Sequence, residues 1–340
     1  MNGSTASVSA ERGPLRELVV SVNWIGDAIM AMPALQVYRN VHPGIELAVF
    51  ARGALADLWS LHPATSRVIR YEGRPDVFHP VYHLLRGEGF STAWILPNSF
   101  RSAWMMFRSG IPRRIGVAGG LRAPLLTERR VAPLPEKTHQ AWEYLALMTP
   151  EQNIEKIPAP ELAIPGELRT AVAKKFPRST KKIIGMIPGA ARGPAKRWPA
   201  GHFAALANMF VRDGYDVELY GGLDDRGLCE GIVASVGEHV RNLAGQTSIP
   251  EWAALMEGCA LVVANDSGGM HLAAALGRPV VALYGITDPE KTGPLGRTCI
   301  VLQNSEIRSR DVARDSADAI KSLASIRPEN VYETSRDFLK

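Results

Sequence analysis

The run Asp266-Ser267-Gly268-Gly269-Met270-His271 places an acid, a hydroxyl and an imidazole around a pair of glycines, just after the apolar stretch Leu261 to Ala264. Aspartate and serine are helix-capping residues. Glycines at a helix start let an anion approach the unpaired amides of the first turn, where the helix dipole favours negative charge. The run reads either as a plain cap or as a seat for a phosphate-bearing ligand.

Three other corners carry reactive or charged groups. Gly26-Asp27 follows the apolar run Leu18 to Val22 and begins a helical pattern. Asp27 is there either a carboxylate stabilising the helix dipole or a general base. Pro188 to Pro199, PGAARGPAKRWP, has two glycines and three prolines, and its rigid turn presents Arg192, Lys196 and Arg197, a set suited to an oxyanion or diphosphate. Gly221 to Asp225 ends in Asp224-Asp225, where a carboxylate could accept hydrogen bonds from a ribose diol or simply cap a helix. His79 and His83 stand four apart, but Pro80 breaks the helix they would share and no acidic third ligand follows, so no metal site is expected. Neither GxGxxG nor a Walker GxxxxGK[ST] occurs, which disfavours nicotinamide enzymes and kinases.

These corners need elements to hold them. Apolar runs at Leu18 to Val22, Ile45 to Ala51, Arg67 to Tyr71, Ala93 to Leu96 and Arg113 to Val117 alternate with helical patterns such as Ala28 to Val41, and Thr138 to Met148 closes this half as a helix. Pro150 to Pro165 reads as a linker. The pattern then restarts with strands Lys182 to Ile187, Val217 to Tyr220, Leu261 to Ala264 and Val280 to Tyr284, and helices His202 to Arg212, Pro250 to Glu257, Met270 to Leu276 and Asp311 to Ala324. Strand and helix alternation of this kind means parallel sheets covered on both faces. The fold class expected is α/β, two doubly wound Rossmann-like domains facing across a cleft, with ligands outside the carboxyl ends of the strands.

At 340 residues, 46% hydrophobic and 21% charged, the chain has the composition of a globular protein with room for two cores. Residues 1–14 look like a disordered tail and not a signal peptide, and no apolar run spans a bilayer, so a cytoplasmic location is expected. Cys229, Cys259 and Cys299 are too sparse for a disulfide framework or a CxxC site. The net charge of +5 is concentrated: between Arg101 and Arg130 seven arginines face one acid, Glu128. That stretch points to an anionic partner, and Trp104, Met105, Met106 and Phe107 within it could touch a lipid surface. A nucleic-acid partner would leave the cleft corners unexplained.

PGAARGPAKRWP, the later stretch NLAGQTSIPEWAALMEGCALVVANDSGGMHLAAALGRPVVALYGITDPEKTGPLG, and in the first half IGDAIMAMPAL and LPNSFRSAWMMFRSGIPRRIGV together resemble glycosyltransferase family 9, the ADP-heptose lipopolysaccharide heptosyltransferases, closest to the heptosyltransferase II type. The resemblance runs from Leu18 to Arg297. It implies a GT-B fold with a tail at 1–14, an N-terminal acceptor-binding domain at 15–160, a C-terminal nucleotide-sugar domain at 161–325 and a C-terminal tail at 326–340. It also implies inverting transfer from ADP-heptose to the lipopolysaccharide inner core with no metal or other cofactor, at the cytoplasmic face of the inner membrane. By the same resemblance Asp27 is the catalytic base and Lys196 stabilises the departing ADP. Gly189, Arg192, Lys196, Asp225, Thr247, Asp266, Ser267, Gly268 and His271 bind the donor, with Asp224 the rival of Asp225. Asn98, Ser99 and Arg101 bind the acceptor. The chain departs from the heptosyltransferase II type after Arg297, where VLQNSEIRSRDVARDSADAIKSL stands, and at Gly269, where relatives often carry Leu. A family 9 enzyme with another donor or acceptor would share these motifs, and a sugar-nucleotide epimerase would share the architecture.

Overall fold

The computed structural model describes residues 15–73, 79–130, 134–135, 137–191, 193–304 and 316–340. Among these described residues, twelve strands form two sheets. In the first, β1 (Arg16–Val20), β2 (Glu46–Arg52), β3 (Arg67–Tyr71), β4 (Thr92–Ile95), β5 (Arg113–Val117) and β6 (Glu128–Arg130) lie in the order β3-β2-β1-β4-β5-β6. In the second, β7 (Ile183–Ile187), β8 (Asp216–Leu219), β9 (Val240–Asn242), β10 (Leu261–Asn265), β11 (Val280–Leu283) and β12 (Cys299–Leu302) run β12-β11-β10-β7-β8-β9. Each neighbouring pair is parallel, for example Val19 beside Val49 and Val263 beside Val281. The central strands are continuous apolar runs because both of their faces are covered, as in LVVAN of β10, buried throughout.

In each sheet the chain begins at an inner strand, β1 or β7, winds outward to one side, then returns to the other side through β4 or β10. The strand order therefore reverses between β1 and β4 and again between β7 and β10. Such reversals open a crevice at the carboxyl ends of the strands, because the connecting helices depart to opposite faces.

Apolar cores hold this together. One continuous apolar core runs from Val49 and Leu47 through Ile29, Met32 and Leu35 of helix Ile25–Val41 to Met270 and Leu272 of helix Gly268–Ala275. Separate cores cover the outer face of the first sheet, around Phe50 and Met106, and of the second, around Phe203 and Phe210. Helix Ala141–Met148 packs into the shared core through Tyr144, Leu145 and Met148.

Several elements differ from the expectation. The helix read as Ala28 to Val41 begins at Ile25, so Asp27 lies inside its first turn. The helix read as Thr138 to Met148 begins at Ala141. Strands β6, β9 and β12 had no clear signal: β6 and β9 are three residues each, and β12 is only half-buried. The unreadable end of the chain contains helix Pro328–Arg336, whose Val331 is buried and whose Tyr332 packs against Phe210. Of the helix expected over Asp311 to Ala324, Ala317–Ala324 is formed, while 311–315, like 1–14, lie outside the described residues.

Candidate active site

The two reversals face each other, and cavities occupy both. At the second, a cavity of about 320 Å³ lies between the corners after β7 and β10 and is lined by Lys196, Asp266, Ser267, Gly268 and His271, with Gly26 and Asp27 arriving from the first half. Its floor is a meeting of two helix starts. A β-carbon on Gly26 would lie 2.8 Å from His271 Cδ2, and one on Gly268 would lie 2.8 Å from Ile25 Cβ. Only glycines permit this approach, which aims the unpaired amides of both first turns at one space.

Asp266 does not cap the helix, contrary to the reading from sequence. Its Oδ2 accepts hydrogen bonds from Lys196 Nζ at 2.5 Å and Thr287 Oγ1 at 2.6 Å. The N-cap is Ser267, and its side chain makes no capping bond. Two buried polar atoms of this cavity's lining, Ser267 Oγ and His271 Nδ1, have no hydrogen-bond partner among the described residues. Such groups cost free energy unless something completes them. Burial, more than the nearby charges of His139 and Lys196, pushes the His271 imidazole down to about 4, so it is neutral near pH 7. A neutral ring can accept or donate a hydrogen bond without adding charge.

Asn265, fully buried, locks the corner: its Oδ1 accepts from the Trp198 amide at 3.1 Å and its Nδ2 donates to Pro188 O at 2.7 Å. Both ends of the PGAARGPAKRWP turn are thereby fixed to β10. Arg192 in that turn lies outside the described residues. Arg197 donates to Ala190 O and lies 3.9 Å from Asp225 Oδ1.

Gly189, Asp225 and Thr247 do not line this cavity. They follow β7, β8 and β9 along the same carboxyl edge, next to it in sheet order. Asp225 turns inward, accepting from the Gly222 amide at 3.0 Å and pressing against Gly189 and Gly221, where a β-carbon would overlap its carboxyl group. Asp224 is exposed. Gly269 sits where a β-carbon would meet Ile187 and Trp252 at 2.7 Å, so Trp252 fills the volume a leucine would need.

At the first reversal, a cavity of about 230 Å³ joins Asp27 to Asn98 and to Gln140, Glu143 and Tyr144 of the neighbouring segment. Trp24, Asp27 and Gln140 line both this cavity and the one around Lys196. Burial, then the charge of Asp27, raises the carboxyl of Glu143 above its usual range. The loop before helix Ala141–Met148 bridges to the second half: the Gln140 amide donates to Lys291 O at 2.9 Å, and His139 Nε2 lies 3.0 Å from Gly293 O. Asn98 is oriented by buried Arg122, which donates to its Oδ1 at 3.0 Å. Ser99 caps helix Phe100–Arg108 by accepting from the Ser102 amide. Arg101 faces a third cavity, of about 750 Å³, that adjoins the second through Asn23, Trp24 and Pro97.

Asn265, Gln140, Glu143 and Thr287 were missed by the sequence reading. Asn265 carried a signal, a polar residue closing an otherwise apolar strand. Gln140 and Glu143 carried none, since nothing in their spacing tells which helix they pack against.

The model of glycosyltransferase family 9 (heptosyltransferase) matches residues 79–320. Lipopolysaccharide heptosyltransferase 2 of Salmonella typhimurium is 32% identical over 96% of this chain and 99% of its own, and that of Escherichia coli K12 is 33% identical over 94% and 97%. Among solved structures, E. coli ADP-heptose lps heptosyltransferase II superposes with a TM-score of 0.85 at 31% identity, covering 96% of this chain and 98% of its own. A family 9 glycosyltransferase from Veillonella parvula shares the fold, with a TM-score of 0.86 at 24% identity over 97% and 98%. Two doubly wound sheets facing across a cleft are the GT-B architecture expected from sequence. With the family model covering most of its length, this chain belongs to glycosyltransferase family 9.

Proposed function

We propose that the protein transfers a heptose from ADP-heptose to a hydroxyl of the lipopolysaccharide inner core, with inversion and without a metal ion. The observation that carries this reading is the cavity where two helix starts, Lys196 and two unsatisfied buried polar atoms converge beside Asp27. The acceptor hydroxyl enters from the Asn98 side and gives its proton to Asp27 as its oxygen attacks the anomeric carbon. The bond from that carbon to the diphosphate oxygen breaks on the opposite face. ADP leaves into the helix starts, where Lys196 and backbone amides supply the positive charge its departure requires. Asp266 holds Lys196 in place, Ser267 and His271 complete the diphosphate or sugar contacts, and Gly189 leaves room for Asp225 to reach the ribose. Thr247 lies near the nucleotide.

The acceptor is lipid-anchored, and the first half offers a face for it. Of the residues read as a lipid-touching run, Met105 and Met106 are buried, while Phe100, outside that run, and Phe107 are 49% and 45% exposed. They form a ladder with half-buried Trp104, at ring distances of 6.1 and 5.8 Å. We assign this ladder to peripheral contact with the inner membrane surface. No helix among the described residues is long and apolar enough to cross a membrane.

Incubation with ADP-heptose and heptose-deficient core should release ADP and lengthen the core in the presence of chelator. Product without acceptor, or a strict need for a divalent ion, overturns the reading.

A further inference from the structure

The fold uses most of the arginines between Arg101 and Arg130 internally. Arg113 and Arg130 each pair with Glu128 at 2.7 Å, Arg114 donates to the carbonyls of Ile111 and Leu125, and Arg122 is buried against Pro97 and Asn98. These side chains are therefore committed to bonds within the first half.

Arg101 is different, and it has a companion no sequence motif indicated. Arg52, the last residue of β2, and Arg101 both line the 750 Å³ cavity. Both are exposed, and neither forms an ion pair among the described residues. Both act on Tyr71, whose phenol is pushed up by burial and pulled back by the two guanidinium charges. Tyr71 itself is fixed by stacking on Phe50, with ring centroids 4.3 Å apart. Trp24, 50% exposed, stands in the same cavity and also in the two cavities that contain Asp27.

We propose that this cavity is a subsite for an anionic group of a saccharide, a phosphate or a carboxylate, held between Arg52 and Arg101, with the Trp24 indole as the platform for the adjoining ring. The inference rests on the acceptor entering past Asn98. Each of two guanidinium forks on a preformed wall can bind a pair of oxygens of such a group, and aromatic faces pack against sugar C–H surfaces. Arg52 and Arg101 line neither of the cavities that contain Asp27, so the pair reads the acceptor and not the donor. Arg52 thus acts as a specificity residue for the charged substituents of the acceptor.

The test is direct binding of deacylated inner-core oligosaccharide, followed by calorimetry on the full chain without donor, so that it needs no turnover. Three oligosaccharides are compared: native, phosphatase-treated and carboxyl-reduced. Arg52→Ala should weaken the native one about ten- to a hundred-fold, Arg52→Gln similarly, and Arg52→Lys less. ADP affinity, measured in parallel, should stay within about twofold and report folding. One stripped oligosaccharide should bind wild type as weakly as the native one binds Arg52→Ala, and this identifies whether phosphate or carboxylate is read. If Arg52→Ala binds all three as tightly as wild type does, or weakens all three equally, the anion subsite is wrong. Failure of heptosyl transfer with intact, charge-dependent oligosaccharide binding would instead count against the proposed reaction.

Discussion

Asp27 and Lys196 stand on different halves of the molecule yet line one cavity, and their expected contributions separate. Asp27→Asn should lower kcat by about 10² to 10⁴, the range of general acid–base catalysis, while ADP affinity changes within about twofold; turnover within about tenfold of wild type would remove Asp27 as the base. Lys196 is bound to Asp266 with both side chains largely buried, so Lys196→Ala strands a carboxylate. Breaking such a pair costs about 3–5 kcal/mol, more than deleting both members, so Lys196→Ala/Asp266→Ala should be the more stable protein in urea unfolding. A strictly additive cycle would show that the pair is only a proximity. The acid, hydroxyl and imidazole around Gly268 were visible in the sequence as a possible anion corner because capping residues and glycines announce a helix start. That Asp266 binds Lys196 instead of capping was not visible, since it depends on a turn held to β10 by Asn265.

At the level of elements, the crossing of helices Ile25–Val41 and Gly268–Ala275 depends on two missing side chains. Gly26→Ala places a methyl within van der Waals overlap of His271 and should cost about 1–3 kcal/mol in thermal or urea unfolding while weakening ADP binding. Gly44→Ala, where a β-carbon meets nothing within 4 Å, is the control and should be neutral or slightly stabilising. Equal effects of the two would mean the crossing is not tight. The aromatic ladder of helix Phe100–Arg108 supplies a second expectation at this scale. Replacing Trp104 and Phe107 together by Ser should cut cosedimentation with phosphatidylglycerol vesicles severalfold and leave ADP affinity unchanged; undiminished sedimentation would move the membrane contact elsewhere. Strands such as β1, β7 and β10 were legible because their apolar runs are strong, whereas helices Gly166–Lys175 and Pro328–Arg336, which bury only one and three residues, were not read. Three-residue β6 and β9 were not, because edge strands of that length carry no period of their own.

For the molecule as a whole, folding and acidity are linked through buried imidazoles. His62 donates from Nδ1 to Glu161 O at 2.9 Å, tying the first half to the linker segment, and burial pushes it down to about 4 from the usual 6.5. Between those values the unfolded chain holds a proton that the native one does not, so stability rises with pH across that window, by at most about 3 kcal/mol for this residue. His271 adds in the same direction. His62→Gln should flatten the pH dependence of urea unfolding between the two values; an unchanged slope would assign the effect elsewhere. Two domains were legible from the restart of the pattern after the Pro-rich segment. The apolar core they share was not, because no sequence period tells that Ile29 and Met270 belong to one cluster. The wall formed by Trp24, Asp27 and Gln140 belongs to both the cavity around Lys196 and the cavity around Asn98. Filling one side therefore alters the boundary of the other, and equilibrium thermodynamics makes that influence mutual. Whatever factor ADP imposes on the affinity for oligosaccharide, the oligosaccharide imposes the same factor on the affinity for ADP.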